Sequence, residues 1–470
     1  MFRSLALVVT TIAAVTALAG LPAQADSPPD IDINRTEKHQ AIDGFGYSTA
    51  FQRASLVHNL PEDKREEVLE LLLDRKTGAA PSILRLGIGS SASNEYDLML
   101  SIQPADPGGP TAPPNYSWDG WDGGQVWFAK QAQERGIDRF YADAWSAPGY
   151  MKDNGSDSNG GSLCGMQDVS CDSGDWREAY ARYLVQYTKF YAAEGIRIDE
   201  LGFTNEPDWT ASYASMRFTP AQAAEFMKVI GPIADDAGVN VACCDSFGWQ
   251  HSEAYARAIA SDSEARKYLD VFTGHGYASP SDHPLPTTAT TWMTEWAPSS
   301  VADGWNEAWD SGKVTDGIRI AERIHDTLAL ADSSAFIFWL GSSRGGTAAL
   351  IQVDDANNAY RVSSRLYAFA AYSRFIRPGA VRIGVDNARE GLKVSAYRNA
   401  GGAEVVQIIN TTNEAVGTTI DMKDPTAYLT DSSHNLEKVS GIVSKRDRYT
   451  TVTLAPRSLT TLVTDRPGNG

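Results

Sequence analysis

A repeated unit of helix, glycine and apolar strand is the feature that most constrains the fold of this 470-residue chain. Helical patterns cover residues 61–73, 125–135, 176–194 and 219–237. Each pattern is followed by a glycine and then by a short apolar run. Glycine suits the left-handed position that ends a helix, and a short apolar run is typical of a buried strand. The middle of the chain is therefore predicted to alternate helices with buried strands.

The number of strand-like runs indicates which alternating fold this is. The runs lie at residues 41–47, 82–86, 139–142, 198–203, 239–243, 268–272, 290–294 and 335–340. Eight strands, most of them separated by helices, predict an α/β fold, the (β/α)8 TIM barrel. A doubly wound open sheet is the alternative. It is less favoured because the chain has no G-x-G-x-x-G phosphate loop between a strand and a helix.

After residue 377 the sequence changes character. Short alternating runs at 394–397, 404–409, 418–421 and 449–454 are separated by Gly, Asn and Asp turns. Such runs predict an all-β sandwich. The alternating residues 31–33 could join the same sheet. We therefore expect a catalytic barrel over residues 41–376 and a C-terminal side β-sandwich domain built from residues 26–40 plus 377–470.

The first 25 residues predict export. Arg3 precedes an uncharged apolar run over residues 5–21, and Ala23-Gln24-Ala25 follows. This is the pattern of a cleaved signal peptide, over residues 1–25; a membrane anchor is the alternative. The formal net charge of -18 repels phosphate backbones and anionic lipid. We expect a secreted monomer that binds neither nucleic acid nor membranes.

Four cysteines bear on that expectation, because disulfides form in exported proteins. Cys164 and Cys171 lie in one Gly- and Ser-rich loop, which predicts a local disulfide. Cys243 and Cys244 are adjacent in an apolar run, and we interpret them as buried small side chains, with a vicinal bridge as the alternative. No Cys/His cluster has zinc-like spacing, so neither a metal nor another cofactor is expected.

Two glutamates at strand ends are the candidate catalytic residues. Glu206 follows the fourth predicted strand and Glu295 ends the seventh. Barrel enzymes carry their chemistry at these ends. Glycosidic hydrolysis needs two carboxyl groups: one protonates the leaving oxygen, and the other attacks the anomeric carbon or activates water. Either glutamate alone could be a solvated loop carboxylate, but the pair predicts a glycosidase.

Around these glutamates the sequence resembles a known family. Asn205-Glu206-Pro207 and Thr294-Glu295-Trp296 resemble the catalytic signature of clan A glycoside hydrolases. The stretches IDGFG (42–46), LRLGIG (84–89), AWSAPGYMK (144–152) and LAPRSLTTLV (454–463) are similar to glycoside hydrolase family 30. The resemblance covers nearly all of the chain after residue 25. It implies a retaining mechanism with Glu295 as nucleophile and Glu206 as acid/base.

Other side chains near strand ends could assist these carboxyls. Asn205 is placed to hydrogen-bond a sugar 2-hydroxyl, unless it is only a turn residue. Arg85 could keep the nucleophile ionised, or form a structural ion pair in the barrel. His275 and Tyr277 could hydrogen-bond Glu295. Two further residues, Trp145 and Trp339, follow or end strands and could stack on sugar rings, although buried Trp is more often core.

The motif GFGYSTAFQRA (44–54) most resembles the xylanase branch of the family. That branch implies xylan or glucuronoxylan as the polysaccharide partner. A glucuronic acid branch would need a cation, for which Arg53 and Arg344 are the candidates; each could equally be a surface arginine. The alternatives are a β-1,6-galactanase or β-1,6-glucanase on the same scaffold. A carbohydrate-binding protein on a degenerate barrel is the non-enzymatic alternative.

Overall fold

A computed structural model describes residues 29–298, 304–346, 348–386, 388–446 and 449–464 of the chain. The predicted signal peptide, residues 1–25, lies outside the described residues. The first strand, β1 (Asp32–Ile42), does not enter the barrel. It pairs antiparallel with residues 380–386, in the C-terminal part of the chain. The two ends of the described chain therefore share one sheet.

Eight parallel strands form a closed barrel. They are β2 (Gly44–Ser48), β3 (Ile83–Ile88), β4 (Arg139–Ala144), β5 (Glu200–Gly202), β6 (Asn240–Ser246), β7 (Val271–His275), β8 (Thr290–Trp296) and β9 (Ala335–Ser343). Each pairs with the next, and β9 pairs with β8 and also with β2. The predicted barrel is confirmed. The open-sheet alternative is wrong because β9 closes the sheet onto β2.

The helices surround this barrel. They are α1 (Arg53–His58), α2 (Glu62–Leu73), α3 (Gln125–Glu134), α4 (Arg177–Ala193), α5 (Pro220–Ala237), α6 (Trp249–Ser261), α7 (Ser263–Lys267), α8 (Gly317–Ala329) and α9 (Ser364–Ser373). α5 begins with a capping box between Thr219 and Gln222 and ends at Gly238, whose φ is 69°. No helix in the described ranges is long and apolar enough to span a membrane.

Side chains from the barrel strands fill the interior and form a packed core at the amino-terminal ends of the strands. One buried apolar cluster takes residues from six strands: Ile83, Tyr141, Ala242, Val271, Trp292, Ala335 and Ile337. Several of these residues are the first residues of their strands, so the cluster lies toward the amino-terminal ends. Packing of that kind leaves the carboxyl-terminal ends as the place where polar groups can gather.

Beyond the barrel the chain is mostly β-structure. The hairpin of β10 (Ala349–Asp354) and β11 (Ala359–Val362) extends the barrel sheet beside β9. The later strands are β12 (Ala380–Asp386), β13 (Leu392–Arg398), β14 (Glu404–Asn410), β15 (Val416–Ile420), β16 (Thr426–Thr430), β17 (Asn435–Val439), β18 (Val443–Arg446), β19 (Tyr449–Leu454) and β20 (Ser458–Val463). They form a seven-stranded sheet, β1-β12-β13-β14-β20-β16-β17, and a three-stranded sheet, β15-β19-β18. The predicted β-sandwich domain is confirmed.

All four cysteines are paired. Cys164 and Cys171 are joined by a disulfide, with an S–S distance of 2.06 Å. Cys243 and Cys244 are buried in β6, as predicted, but they are also bonded to each other. The interpretation of this second pair as separate small side chains is therefore wrong. The adjacent sulfurs lie together inside the core, and the vicinal bridge that was the alternative is the arrangement found.

Candidate active site

A cavity of about 580 Å³ opens at the carboxyl-terminal ends of the barrel strands. Both candidate glutamates line it, together with an acid, a cation and seven aromatic side chains. The lining residues are Phe51, Arg53, Asp97, Trp145, Glu206, Trp209, Tyr213, Phe247, Tyr277, Glu295 and Trp339. An aromatic cavity with two carboxyls at its floor suits a ligand that has both apolar faces and hydroxyl groups.

The two glutamates face each other across this floor. One carboxylate oxygen of Glu206 and one of Glu295 lie within 4.8 Å of each other. Glu206 follows β5, with a backbone φ of 48°, in the left-handed region that is uncommon for residues other than glycine. Its backbone N–H donates to the Asp245 carbonyl at 2.8 Å, which holds this conformation. Strained backbone of this kind often occurs at functional sites.

Arg85, in the middle of β3, connects the carboxyls below the cavity. Its Nη1 donates to Oε2 of Glu295. Its Nη2 lies 2.8 Å from Asp143 Oδ2, 2.7 Å from Asn205 Oδ1 and 2.8 Å from Asp245 Oδ2. The guanidinium is fully buried, so its charge partners are Glu295, Asp143 and Asp245. The predicted alternatives for Arg85 coexist, because it contacts Glu295 and also forms structural ion pairs.

The buried charged residues below the cavity floor differ in the direction of their pKa shifts. Burial opposes the charge on Arg85, but Asp245, Glu295 and Asp143 outweigh burial and raise the pKa of Arg85 well above its usual value. Burial would raise the pKa of Asp245 too, but Arg85 and His275 hold it well below its usual value. Burial and the Asp245 charge raise the pKa of Asp143 well above its usual value. Asp245, which lies beside both cations, therefore holds its negative charge more firmly than Asp143 does.

His275, at the end of β7, is the second cation. Burial would lower its pKa, but Glu295, Asp245 and Glu206 raise it to about 10. Its Nδ1 donates to Oε1 of Glu206 at 3.1 Å, whereas its Nε2 is 3.9 Å from Glu295 Oε2. The predicted hydrogen bond from His275 to Glu295 is therefore wrong. The ring lies between the two glutamates, and its shorter contact is to Glu206.

The two glutamates have different surroundings. Burial raises the pKa of Glu206, with the charge on Glu295 adding to this, although the hydrogen bond from His275 lowers it. Glu295 accepts hydrogen bonds on both oxygens, from Arg85 on Oε2 and from the Tyr277 hydroxyl on Oε1 at 2.9 Å. The predicted contact from Tyr277 is present. The arrangement favours a proton on Glu206 and holds the Glu295 carboxylate by both oxygens.

Glu206, His275 and Glu295 also have the spacing of a metal site, since one ligand atom from each lies within 4.8 Å of the others. His275 is unsuited to such a site. Its Nδ1 is hydrogen-bonded to Glu206 and the neighbouring carboxylates raise its pKa to about 10, so a metal would have to displace a proton that these acids stabilise. Arg85 adds a second positive charge beside Glu295. We therefore interpret the cluster as a proton-handling site.

The remaining predicted residues divide between the cavity and its surroundings. Trp145 and Trp339 both line the cavity. The Trp145 ring also covers the Arg85 guanidinium, whose carbon lies 4.6 Å from the ring centroid. Arg53 lines the cavity, but its Nη1 is paired with Asp97. Arg344 does not line it. Its Nε donates to Asp355 at 2.9 Å, and its guanidinium lies 3.8 Å from the centre of the Tyr96 ring, which Arg53 also contacts, so its role as a uronate contact stays a prediction.

Several site residues had not been predicted. Tyr213, Trp209 and Phe247 line the cavity from loops that follow β5 and β6. Trp209 and Tyr213 carry no strand-end signal, so only their aromatic character could have indicated them, whereas Phe247 directly follows β6. Asp143 and Asp245 gave a clearer signal, because each is a charged residue within or just after an apolar strand run. A buried charge needs a partner, and Arg85 is that partner.

A TIM barrel with two close carboxyls above an arginine, in a cleft lined by aromatic rings, defines a glycoside hydrolase. The chain belongs to glycoside hydrolase family 30. Residues 28–265 match the description "O-Glycosyl hydrolase family 30", and residues 379–462 match "Glycosyl hydrolase family 30 beta sandwich domain". The chain is therefore an O-glycosidase, and the carbohydrate-binding alternative without catalysis is set aside.

Three relatives illustrate the range within this similarity. The catalytic domain of a family 30 xylanase C from Talaromyces cellulolyticus is 38% identical, with a TM-score of 0.86, over 93% of this chain and all of that one. Glucuronoxylanase XynC from Bacillus subtilis is 27% identical over 61% of this chain and 66% of its own length. An endo-1,6-beta-D-glucanase from Aspergillus fumigatus is 25% identical over 84% of this chain and 83% of its own.

Proposed function

We propose that this protein is a secreted, retaining glycosidase that cleaves β-1,4-xylosidic bonds in xylan and glucuronoxylan. The observation that carries the mechanism is the separation of the two carboxyls, whose nearest oxygens lie within 4.8 Å. Retaining glycosidases have carboxyls about 5 Å apart, whereas inverting enzymes need about 6.5–9.5 Å to admit a water. Secretion rests on the signal-like pattern of residues 1–25.

In the first step the Glu295 carboxylate attacks the anomeric carbon, and the bond from that carbon to the leaving oxygen breaks. Glu206 donates its proton to that oxygen, so the leaving sugar departs as an alcohol. The raised pKa of Glu206 supports this role, because the acid must be protonated when substrate binds. Arg85 and Tyr277 hold the Glu295 carboxylate by both oxygens and orient it for attack.

In the second step water replaces the leaving sugar. Glu206, now a carboxylate, takes a proton from that water while the water oxygen attacks the anomeric carbon. The bond to Glu295 breaks, and the β configuration of the substrate is restored. His275, hydrogen-bonded to Glu206 at 3.1 Å, stabilises the negative charge that Glu206 carries between the two steps. Asn205, held by Arg85 through Oδ1, is placed to hydrogen-bond the sugar 2-hydroxyl with its amide N–H.

The choice of xylan rests on similarity. The xylanase from Talaromyces cellulolyticus is 38% identical to this chain, whereas the Aspergillus fumigatus glucanase is 25% identical. The direct test is to incubate the protein separately with glucuronoxylan, arabinogalactan and a β-1,6-glucan, and to measure released reducing ends. We expect release from glucuronoxylan only. Release from only the β-1,6-linked polymers would reject the xylan proposal and favour the alternative with the matching linkage.

Arg53 is the residue we propose for contact with a glucuronic acid branch, because it is the candidate arginine that lines the cavity. Its present partner, Asp97, competes with a uronate for the guanidinium. We expect Arg53→Ala to lower kcat/KM on glucuronoxylan more than on unbranched xylan. Arg361→Ala is the matched control, since Arg361 is hydrogen-bonded to Gln352 on the β10–β11 hairpin and does not line the cavity. Equal losses on both xylans would reject this role for Arg53.

A further inference from the structure

The aromatic side chains of the cavity form two separate walls. On one side Phe51 packs against three rings, with centroid distances of 5.2 Å to Trp145, 6.1 Å to Trp339 and 6.1 Å to Tyr213. On the other side Trp209, Phe247 and Tyr277 follow β5, β6 and β7 in turn. The second wall begins at Tyr277, whose hydroxyl donates to Glu295, and it includes the loop that carries Glu206.

The rings of this second wall are stacked. The Tyr277 and Phe247 rings lie 5.6 Å apart with 27° between their planes. The Phe247 and Trp209 rings lie 4.8 Å apart with 22° between their planes. Trp209 ends the stack and is 46% exposed, which is unusual for so large an apolar side chain. The stack therefore leads from the catalytic floor to an indole that is open to solvent at the cavity edge.

Backbone contacts hold this stack in place before any ligand binds. The Trp209 N–H donates to the Glu206 carbonyl at 2.9 Å, so the indole is fixed to the same turn as the candidate acid. Oδ1 of Asp208 accepts from the Phe247 N–H at 2.9 Å, and the Phe247 carbonyl accepts from the Tyr277 N–H at 3.2 Å. A surface held this way loses little conformational entropy when a ligand stacks on it.

We propose that Trp209, supported by Phe247, forms a subsite for an uncharged sugar ring of the leaving-group part of the polysaccharide. The proposal rests on the glycosidase function above and adds where the departing chain binds. Glu206 protonates the leaving oxygen, so the sugar beyond that oxygen lies on the side of the cavity that carries Glu206. Among the described residues that line the cavity, the one cation is Arg53, on the opposite wall, so this subsite suits a neutral pyranose rather than a uronate.

The test compares two substrates that differ in the leaving group. Xylohexaose places sugars in the leaving-group subsites, whereas β-xylobiosyl fluoride releases fluoride and leaves them empty. In Trp209→Ala we expect the ratio of kcat/KM for xylohexaose to that for the fluoride to fall about tenfold, the scale of one lost aromatic stacking contact. Trp209→Phe should restore most of the ratio, because a ring remains on Phe247.

Trp118→Ala is the matched control. Trp118 stacks on Phe190 with ring centroids 5.2 Å apart, but it does not line the cavity, so this variant should keep the wild-type ratio. A wild-type ratio in Trp209→Ala, or equal losses on both substrates, would overturn the subsite. If the wild type cleaves β-1,6-glucan instead of xylan, the xylan proposal fails. Gentiohexaose and β-gentiobiosyl fluoride would then test the subsite in the same way, and a wild type inactive on both polymers would overturn both proposals.

Discussion

Two groups of buried acids in this barrel show what makes a carboxyl catalytic. One group lies at the cavity floor and just below it and contains Glu206, Glu295, Asp143 and Asp245. The other is a single acid, Asp122, between α3 and α4. One oxygen of Asp122 accepts hydrogen bonds from the Tyr187 hydroxyl and the Tyr191 hydroxyl, each at 2.6 Å, and from the Gln125 amide at 2.9 Å.

Burial acts on both groups. It is the largest cause of the raised pKa of Asp122, which reaches about 6, and also of the raised pKa of Glu206. The difference lies in the neighbours. Asp122 has only neutral donors and does not line the cavity, whereas the acids of the first group contact two cations, Arg85 and His275, and two of these acids line the cavity. A shifted pKa alone therefore does not identify a catalytic acid; a second carboxyl, a cation and ligand access are also needed.

The largest expected effect is that of Glu295→Gln. The amide has nearly the same shape but cannot form the covalent intermediate, so we expect kcat to fall at least about 10⁴-fold. Binding of xylo-oligosaccharides should remain largely intact, which calorimetry can measure. Turnover near the wild-type rate would reject Glu295 as nucleophile. The acids at the cavity would then no longer differ from Asp122 by a catalytic role.

Asp245 and Asp143 sharpen the comparison within the first group. Asp245→Asn removes an anion between Arg85 and His275, and we expect kcat/KM to fall about 100-fold with a pH optimum shifted toward acid. Asp143→Asn should cost less than tenfold, because the raised pKa of Asp143 makes its negative charge the less strongly held of the two. pH–rate profiles of both variants test this. Equal losses and equal profiles would show that the two acids carry the same charge.

Asp122 is expected to affect stability rather than catalysis. Its pKa is raised from 3.8 to about 6 in the folded state, so the folded state binds more protons than the unfolded state between these values. The free energy of unfolding should therefore fall by up to about 3 kcal/mol as the pH rises from about 4 to above 6.

Asp122→Asn removes the titrating group, and the corresponding part of this pH dependence should disappear. Urea unfolding at pH 4, 5, 6 and 7 measures the change. Activity per folded molecule should stay at the wild-type level, which is the contrast with the first group. An unchanged pH dependence in the variant would contradict the raised pKa, and a large loss of activity would contradict a purely structural role.

The sequence was sufficient for features that follow from local rules. The eight strands are visible because buried parallel strands are short apolar runs, and Glu206 and Glu295 stand out because chemistry gathers at strand ends. What escaped prediction depends on three-dimensional contacts. Whether His275 hydrogen-bonds Glu206 or Glu295 depends on two N···O distances that differ by less than 1 Å. Arg344 and Trp209 are on loops, whose paths the strand pattern does not specify.

The proposed double displacement requires a covalent bond between Glu295 and the substrate. We suggest incubating the wild-type protein with a 2-deoxy-2-fluoro β-xylobiosyl fluoride, which forms the glycosyl-enzyme but hydrolyses slowly, and then locating the label by mass spectrometry of peptides. We expect one sugar label per chain, carried by Glu295. A label on another residue would contradict the account, as would an enzyme that cleaves xylan and releases the α-anomer as its first product.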